Sequence, residues 1–575
     1  MKTIIILLTG MLISSVSYGQ VDSHQGKVGY PSEFIQVHLS ETSLFPDHVL
    51  GIKIYCTNPL FPELELSRVA FIELLNNRNM PILRKKVLLE NGTGEGEFVL
   101  PTYLGSGIYT LLTYTNWLKN FGEKSFHSQR IVIINPDQGL PQVSDTSDCP
   151  GIQSRGKGIK TGVSSGLIVE SDKQRYTTRE KVSITVSMSG ESGESKGGQF
   201  SVSVCLTEPV MFGLPSDMEN QQAETLPGEI EYLPDFGGIR LSGKLEDASG
   251  TVKPGKRIIL SKPGPGTHIR STSSDEAGNF HFLLHPQEGE TDLVFTLPDS
   301  DMILKLEEPF WNGYRDPPEQ PELCLKKSTV SFLEEKFSHF QIHGKFNQSS
   351  FSIRSLPDLG TSDSSSFHSD YSKQLLMDDY VLLDSLPEYF YELVPNVKFI
   401  HSRGSFDIRV SDPVSGTPYA EKPGLFVDGV LYSDYTEIAQ MPVHKIDRIS
   451  IFPEVYYLGN LSFGGIIDLH TKDSDFNSIP LLPDMTRIMF PLASRSEMMF
   501  EAPDHSFPNS GNRIPDFRHL ICWEPDVSIG TSGETSVQFY TGDIIGEYTV
   551  RVFGLSAEGK LIRSETKIWV GPRIK

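Results

Sequence analysis

Gly162-Val163-Ser164-Ser165-Gly166 has the Gly-x-Ser-x-Gly spacing that places a serine nucleophile on a sharp turn for acyl transfer. Such a turn needs a strand before it and a helix after it. Here a basic, glycine-rich stretch precedes the motif and the strand-like Leu167-Ile168-Val169 follows it, so the match reads as coincidence. The five cysteines, Cys56, Cys149, Cys205, Cys324 and Cys522, are odd in number and far apart. They form neither a dense disulfide framework nor a zinc-binding Cys-x-x-Cys pair. Cys56, Cys205 and Cys522 lie in strand-like runs and read as buried thiols. A Cys149–Cys324 bridge between linkers stays open. The 15 histidines are scattered without metal-ligand spacing. Asp275, Glu276 and Asn279 fall short of the six or so oxygen ligands that calcium takes. No zincin, Walker A or dinucleotide-binding glycine pattern occurs. The expectation is a chain with no catalytic, cofactor-binding or metal residue and no cofactor.

The net charge of −22 argues against nucleic acid and against direct docking on anionic lipid. Residues 1–19 read as a secretory signal. Lys2 supplies the positive start, Ile4 to Ile13 the apolar run, and Ser17-Tyr18-Gly19 the cleavage site. No other segment approaches 18 apolar residues, so no transmembrane segment of the chain's own is expected. The expected location is beyond the inner membrane, in the periplasm.

Prolines (38) and glycines (50) are spread along the chain between short β-forming runs. That pattern favours several β-sandwiches over one α/β enzyme. The divisions expected are a sandwich at 30–137, a linker at 138–165, a second sandwich at 166–210 and a connector at 211–236. A small sandwich follows at 237–301, then a connector at 302–379 with a short helix near Phe332 to Phe340. A small α+β unit at 380–475 comes next, then a connector at 476–512 and a last sandwich at 513–575. In the α+β unit, Ser385-Leu386-Pro387-Glu388 carries a capping-box helix start. Asp428-Gly429, between the apolar Leu425-Phe426-Val427 and Val430 to Tyr432, marks a type I′ hairpin turn.

Three resemblances accompany these units. The run Leu100 to Gly122, with Tyr114 to Phe121 and Trp117 at its centre, resembles macroglobulin-type domains of Bacteroidota envelope proteins, as do 166–210 and 513–575. It implies either a recognition loop or a packed corner anchored by Trp117. The segment Ile239 to Leu284 resembles the carboxypeptidase regulatory-like fold, a seven-stranded sandwich that is not itself a peptidase. Val427-Asp428-Gly429-Val430, Ile446 to Ile451, Leu458-Gly459 and Gly464 to Lys472 resemble the plug domain of TonB-dependent outer-membrane receptors. Such a plug sits in a β-barrel that calls for roughly 200 residues in strands. The sequence after Lys472 shows no ten-residue lipid-facing alternation, so a plug-like module without its own barrel is expected. The last segment is also similar to sorting domains of type 9 secreted proteins. A thioester protease trap would need a Cys-Gly-Glu-Gln run, and no cysteine sits in one.

The sequence thus leads to a mainly β, multidomain, non-enzymatic scaffold of the cell envelope. Its expected partner is an outer-membrane β-barrel or envelope complex, with Trp117, Asp428, Gly429, Tyr432 and Tyr435 as candidate interaction residues. The alternatives are an accessory of nutrient transport, outer-membrane protein assembly or type 9 secretion, and a non-covalent protease inhibitor.

Overall fold

The computed structural model describes residues 31–58, 61, 64–138, 142–144, 166–188, 197–208, 230–266, 268–284, 290–314, 323–346, 350–353, 373–381, 383–459, 461–506, 514–530 and 532–573. The signal segment, the Gly-x-Ser-x-Gly serine and Cys149 lie outside them, as does the side chain of Cys324.

The first sandwich packs a three-stranded sheet, Phe34–Leu39, Val49–Thr57 and Thr93–Val99, on a five-stranded one. The latter runs Ser43–Leu44, His127–Ile133, Gly107–Thr115, Val69–Leu75 and Pro81–Leu88. Alternation decides which face goes in. Ile35, Val37 and Leu39 enter the core with Ile52 and Ile54, each burial contributing roughly 1.5–3 kcal/mol. The opposite, polar face is also buried, because the next sandwich covers it. His38 bonds Ser201 Oγ at 2.6 Å and Ser203 Oγ at 2.9 Å, and the Tyr55 hydroxyl donates to Ser201 Oγ at 2.8 Å. Two alternating strands thus meet along their polar sides, which is why all nine residues of Val49–Thr57 are buried.

That second sandwich is split in sequence. Lys181–Met188 pairs antiparallel with Glu534–Tyr540, placing Val182 opposite Phe539 and Ile184 opposite Val537. Gly198–Leu206 lies between Leu520–Ile529 and Gly546–Ser556. The segments 166–210 and 513–575, expected as two domains, therefore form one. Their hydrophobic cluster is also single, joining Val182, Phe200 and Val204 to Phe539, Tyr548 and Ile568. Neither half has enough strands to close a sandwich alone.

Everything between is inserted. The third sandwich has a three-stranded sheet, Asn279–Leu284, Ile239–Asp247 and Met302–Leu306. It also has a four-stranded one, His268–Ser273, Arg257–Lys262, Glu290–Thr296 and Met485–Pro491. The last strand comes from the expected 476–512 connector, so the 237–301 boundary is too short. Met485–Pro491 binds along Glu290–Thr296, with Ile488 opposite Leu293. Between these parts lies the α+β module. Its five-stranded sheet runs Lys373–Leu376, Ile446–Leu458, Leu461–Thr471, Gly424–Val427 and Val430–Leu431. The hairpin of Val397–Ser402 with Ser405–Val410 and the helices Leu386–Leu393 and Tyr435–Ala439 complete it.

The short helix expected near Phe332 runs over Lys327–Phe346. Its Leu333 packs with Phe45, Val132 and Leu325, and Phe332 reaches the second sandwich core. No described helix is long and apolar enough to cross a membrane.

Candidate functional site

The hairpin singled out by sequence is built as expected. Asp428 and Gly429 both take positive φ, 47° and 80°, as a type I′ turn requires. The function of the aspartate is internal, however. Its Oδ1 accepts from Thr471 N at 2.7 Å, and its Oδ2 accepts from Thr471 Oγ1 at 2.6 Å and Phe476 N at 3.0 Å. One carboxylate thus fastens the hairpin tip to the end of Leu461–Thr471 and to the turn beyond it.

The tip also docks on the third sandwich. Gly264 N donates to Asp428 O at 2.9 Å. A Cβ on Gly429 would lie 2.7 Å from Gly266 O, so only glycine fits both the φ and the approach. Behind the tip, Phe426, Phe463 and Ile466 cluster with Ile259 and Ile269 of the third sandwich.

Tyr432 is buried and donates to Pro480 O at 3.0 Å. Tyr435 is buried and donates to Pro423 O at 3.1 Å. Burial, with Asp407 nearby, pushes the Tyr435 phenol up to about 12, so it stays a neutral donor. Trp117 is buried too, with Nε1 donating to Pro31 O at 2.8 Å and its ring edge-on to Phe121. All five candidate interaction residues face the interior. The Tyr114 to Phe121 run is a packed corner, not a recognition loop, and the hairpin's surface is occupied by the chain's own third sandwich.

Sequence reading missed a dense group of ionisable residues at the meeting of the first sandwich, the second sandwich and the helix Lys327–Phe346. Lys336, 2 % exposed, donates to Glu208 Oε1 at 2.5 Å and Ser43 O at 2.7 Å, and lies 3.7 Å from Glu41 Oε2. Against burial, Glu208 and Glu41 hold the Lys336 ammonium charged. One turn on, the His339 ring stacks on Phe517 at 4.6 Å, and its Nδ1 lies 3.3 Å from His519 Nε2. His343 bonds Ser350 Oγ at 3.0 Å. Phe340 packs on the His48 ring at 4.1 Å. Arg518 grips Asp516 with two bonds of 2.7 and 2.8 Å. Of these groups, Glu41, His48, Lys336, Phe340, His343 and Arg518 line a cavity of about 260 Å³ together with Phe500 and Leu520. The i, i+3, i+4 and i+7 spacing of Lys336, His339, Phe340 and His343 marks one helix face, the only signal that sequence offered.

Burial, then Lys336 and His343, lowers His48 to about 3. Burial, Lys336, His339 and His48 hold His519 well below the usual imidazole range. The group is therefore a charged lysine–carboxylate centre ringed by neutral imidazoles. Its contacts, which tie Lys336 of the helix to Glu41 of the first sandwich and Glu208 of the second, are those of an interdomain clamp. A second buried pair, His470 Nε2 with Asp468 Oδ2 at 3.0 Å, lies inside the α+β sheet beside the buried Ser450 and is closed to solvent. Among the described residues, no group of three or more His, Cys, Asp or Glu is placed to hold a metal ion. Cys56, Cys205 and Cys522 are free and buried.

The fold defines a mainly β protein of several sandwiches with an inserted α+β module. No family model and no curated protein matches the chain. Among solved structures it is similar to Escherichia coli alpha-2-macroglobulin activated by porcine elastase, at 10% identity and a TM-score of 0.25. That alignment covers 94% of this chain and 44% of the other. Salmonella alpha-2-macroglobulin mutant Y1175G gives 10% identity and a TM-score of 0.24, covering 95% and 40%. The Yersinia pseudotuberculosis adhesin InvE gives 9% identity and a TM-score of 0.13, covering 47% and 57%. The chain thus spans less than half the length of those macroglobulins, and TM-scores this low establish neither family nor activity.

Proposed function

We propose that this protein is a non-enzymatic scaffold of the cell envelope, periplasmic and associated with the outer membrane. It docks on an outer-membrane β-barrel protein or complex through the α+β module, the unit with plug-like sequence motifs. One observation carries the reading. The hairpin end of the module is fastened to the third sandwich, while large apolar side chains elsewhere on it stand in solvent: Val381 (85 % exposed), Tyr391 (84 %), Val414 (94 %) and Tyr457 (73 %). Single exposed apolar residues are ordinary, but four so exposed within one small module are what a docking unit offers a partner.

The partner contact therefore belongs to these residues and not to the buried Asp428 hairpin. The clamp at Lys336 and the polar seam at His38 and Tyr55 support a scaffold role by holding the sandwiches in a set arrangement. Transport accessory, assembly factor and secretion component are versions of this reading that the partner's identity separates. The test is crosslinked affinity purification from envelopes, comparing wild type with a Val381→Ser, Tyr391→Ser double variant. Loss of one stoichiometric β-barrel partner in the variant is the expected result. A complex with a soluble protease instead would favour non-covalent inhibition.

A further inference from the structure

A second cavity, of about 290 Å³, opens where Thr93–Val99 of the first sandwich faces Leu520–Ile529 of the second, with Met498–Phe500 as its third wall. Its polar lining is acidic: Glu95, Glu97, Glu524 and Asp526. Two ammonium groups answer these four carboxylates. Lys53 Nζ lies 3.2 Å from Glu95 Oε1 and 3.8 Å from Asp526 Oδ1, and Lys85 pairs with Glu97 Oε1. The balance of the lining is therefore close to −2. Glu97 is only 8 % exposed, and its second oxygen, Oε2, is buried with no hydrogen-bond partner. A buried acceptor left this way costs about 1–3 kcal/mol, so it marks where a donor belongs. Apolar surface lies beside it: the buried indole of Trp523 and the side chains of Met498 and Phe500.

We propose that this cavity binds an organic cation, a primary ammonium or guanidinium group on a short aliphatic stem. The cationic head donates to Glu97 Oε2 and is drawn by the net negative charge of the acidic lining. The stem lies on Trp523 and Met498, since aromatic faces and thioethers favour a partly desolvated cation. A bare divalent ion fits less well, because this wall offers hydrocarbon and sulfur where such ions take further oxygens. The volume suits one small amine or one lysine or arginine side chain. Either source carries the same chemistry.

The test is calorimetric titration of the full-length mature protein with cadaverine, agmatine and a blocked Gly-Lys-Gly peptide. Wild type should bind at least one of them. Tighter binding of the free amines identifies a small-molecule site, and tighter binding of the peptide identifies a side-chain site. Glu97→Gln should weaken binding by about tenfold or more, as expected for loss of a charge-assisted hydrogen bond. Glu524→Gln leaves the Lys85 pair intact and should weaken binding in the same direction, which keeps the test decisive should Glu97→Gln misfold. Glu170→Gln, a remote surface change, should leave affinity unchanged. No binding by wild type, or equal loss in Glu170→Gln and Glu524→Gln, would overturn the proposal.

Discussion

Asp428 and Thr471 are 43 residues apart, yet both the amide and the hydroxyl of Thr471 donate to the Asp428 carboxylate, at 2.7 and 2.6 Å. A third donor, Phe476 N, completes the set. Asp428→Ala would leave two buried N–H groups and one hydroxyl unsatisfied, at about 1–3 kcal/mol for each that finds no water. The expected outcome is a loss of several kcal/mol, read as a lower urea midpoint, with hydrogen exchange accelerated across 424–431 and 461–476. Asp428→Asn keeps an acceptor and should fall between the two.

Gly429→Ala places a methyl 2.7 Å from Gly266 O on a backbone with φ of 80°. The strain falls on the contact between the module and the third sandwich. Hydrogen exchange should rise in 257–273 and in the hairpin, while the sheets of the first sandwich stay protected. Unchanged exchange at 257–273 would show that the tip does not dock there.

Much of the β content was legible because alternation is local. Phe34–Leu39 and Lys181–Met188 announce their buried faces within a few residues. The nesting was not legible. Nothing near Val182 in the sequence says that its neighbour in the sheet is Phe539, because pairing partners far apart in the chain leave no local mark. Among the candidate residues, the Asp428-Gly429 turn could be read from its residue types, but the inward aim of the carboxylate depends on Thr471 and Phe476. Tyr432 and Tyr435 read as contact residues by their place at the hairpin, and Trp117 by its place in the Tyr114 to Phe121 run. In the fold they suit the interior, since each finds one backbone carbonyl for its donor.

Lys336 should be among the most sensitive positions in the chain. Lys336→Met removes the ammonium and leaves Glu208 and Glu41 buried together, a change worth about 3–5 kcal/mol when one partner of a buried pair is lost. Thermal unfolding should fall by several degrees. A triple variant that also carries Glu41→Gln and Glu208→Gln should recover part of the loss.

The same junction should respond to acid. The groups there are Lys336, His339, His343 and Glu335 on the helix; Glu41, Asp47 and His48 on the first sandwich; and Glu208, Asp516, Arg518 and His519 on the second. Burial lowers His48, His339, His343 and His519 in the folded state. Their contribution is complete above the unfolded value of 6.5 and is lost as pH falls below it, toward about 3 for His48. Glu41, raised by burial to about 7, has the opposite sign: its contribution is present below 4.5 and lost as pH rises through 7. Four imidazoles outweigh one carboxyl, so opening the junction takes up protons. Hydrogen exchange in 327–346, corrected for the intrinsic rate, should rise as pH falls from 6.5 to 4.5. Flat protection over that range would contradict the clamp.

The measurement that bears most directly on the scaffold account is purification of the tagged protein from crosslinked envelopes, with partners identified by mass spectrometry. The account predicts one stoichiometric outer-membrane β-barrel protein, retained by wild type and lost in the folded Val381→Ser, Tyr391→Ser variant. Recovery of the protein alone, or only with a soluble protease, would contradict it.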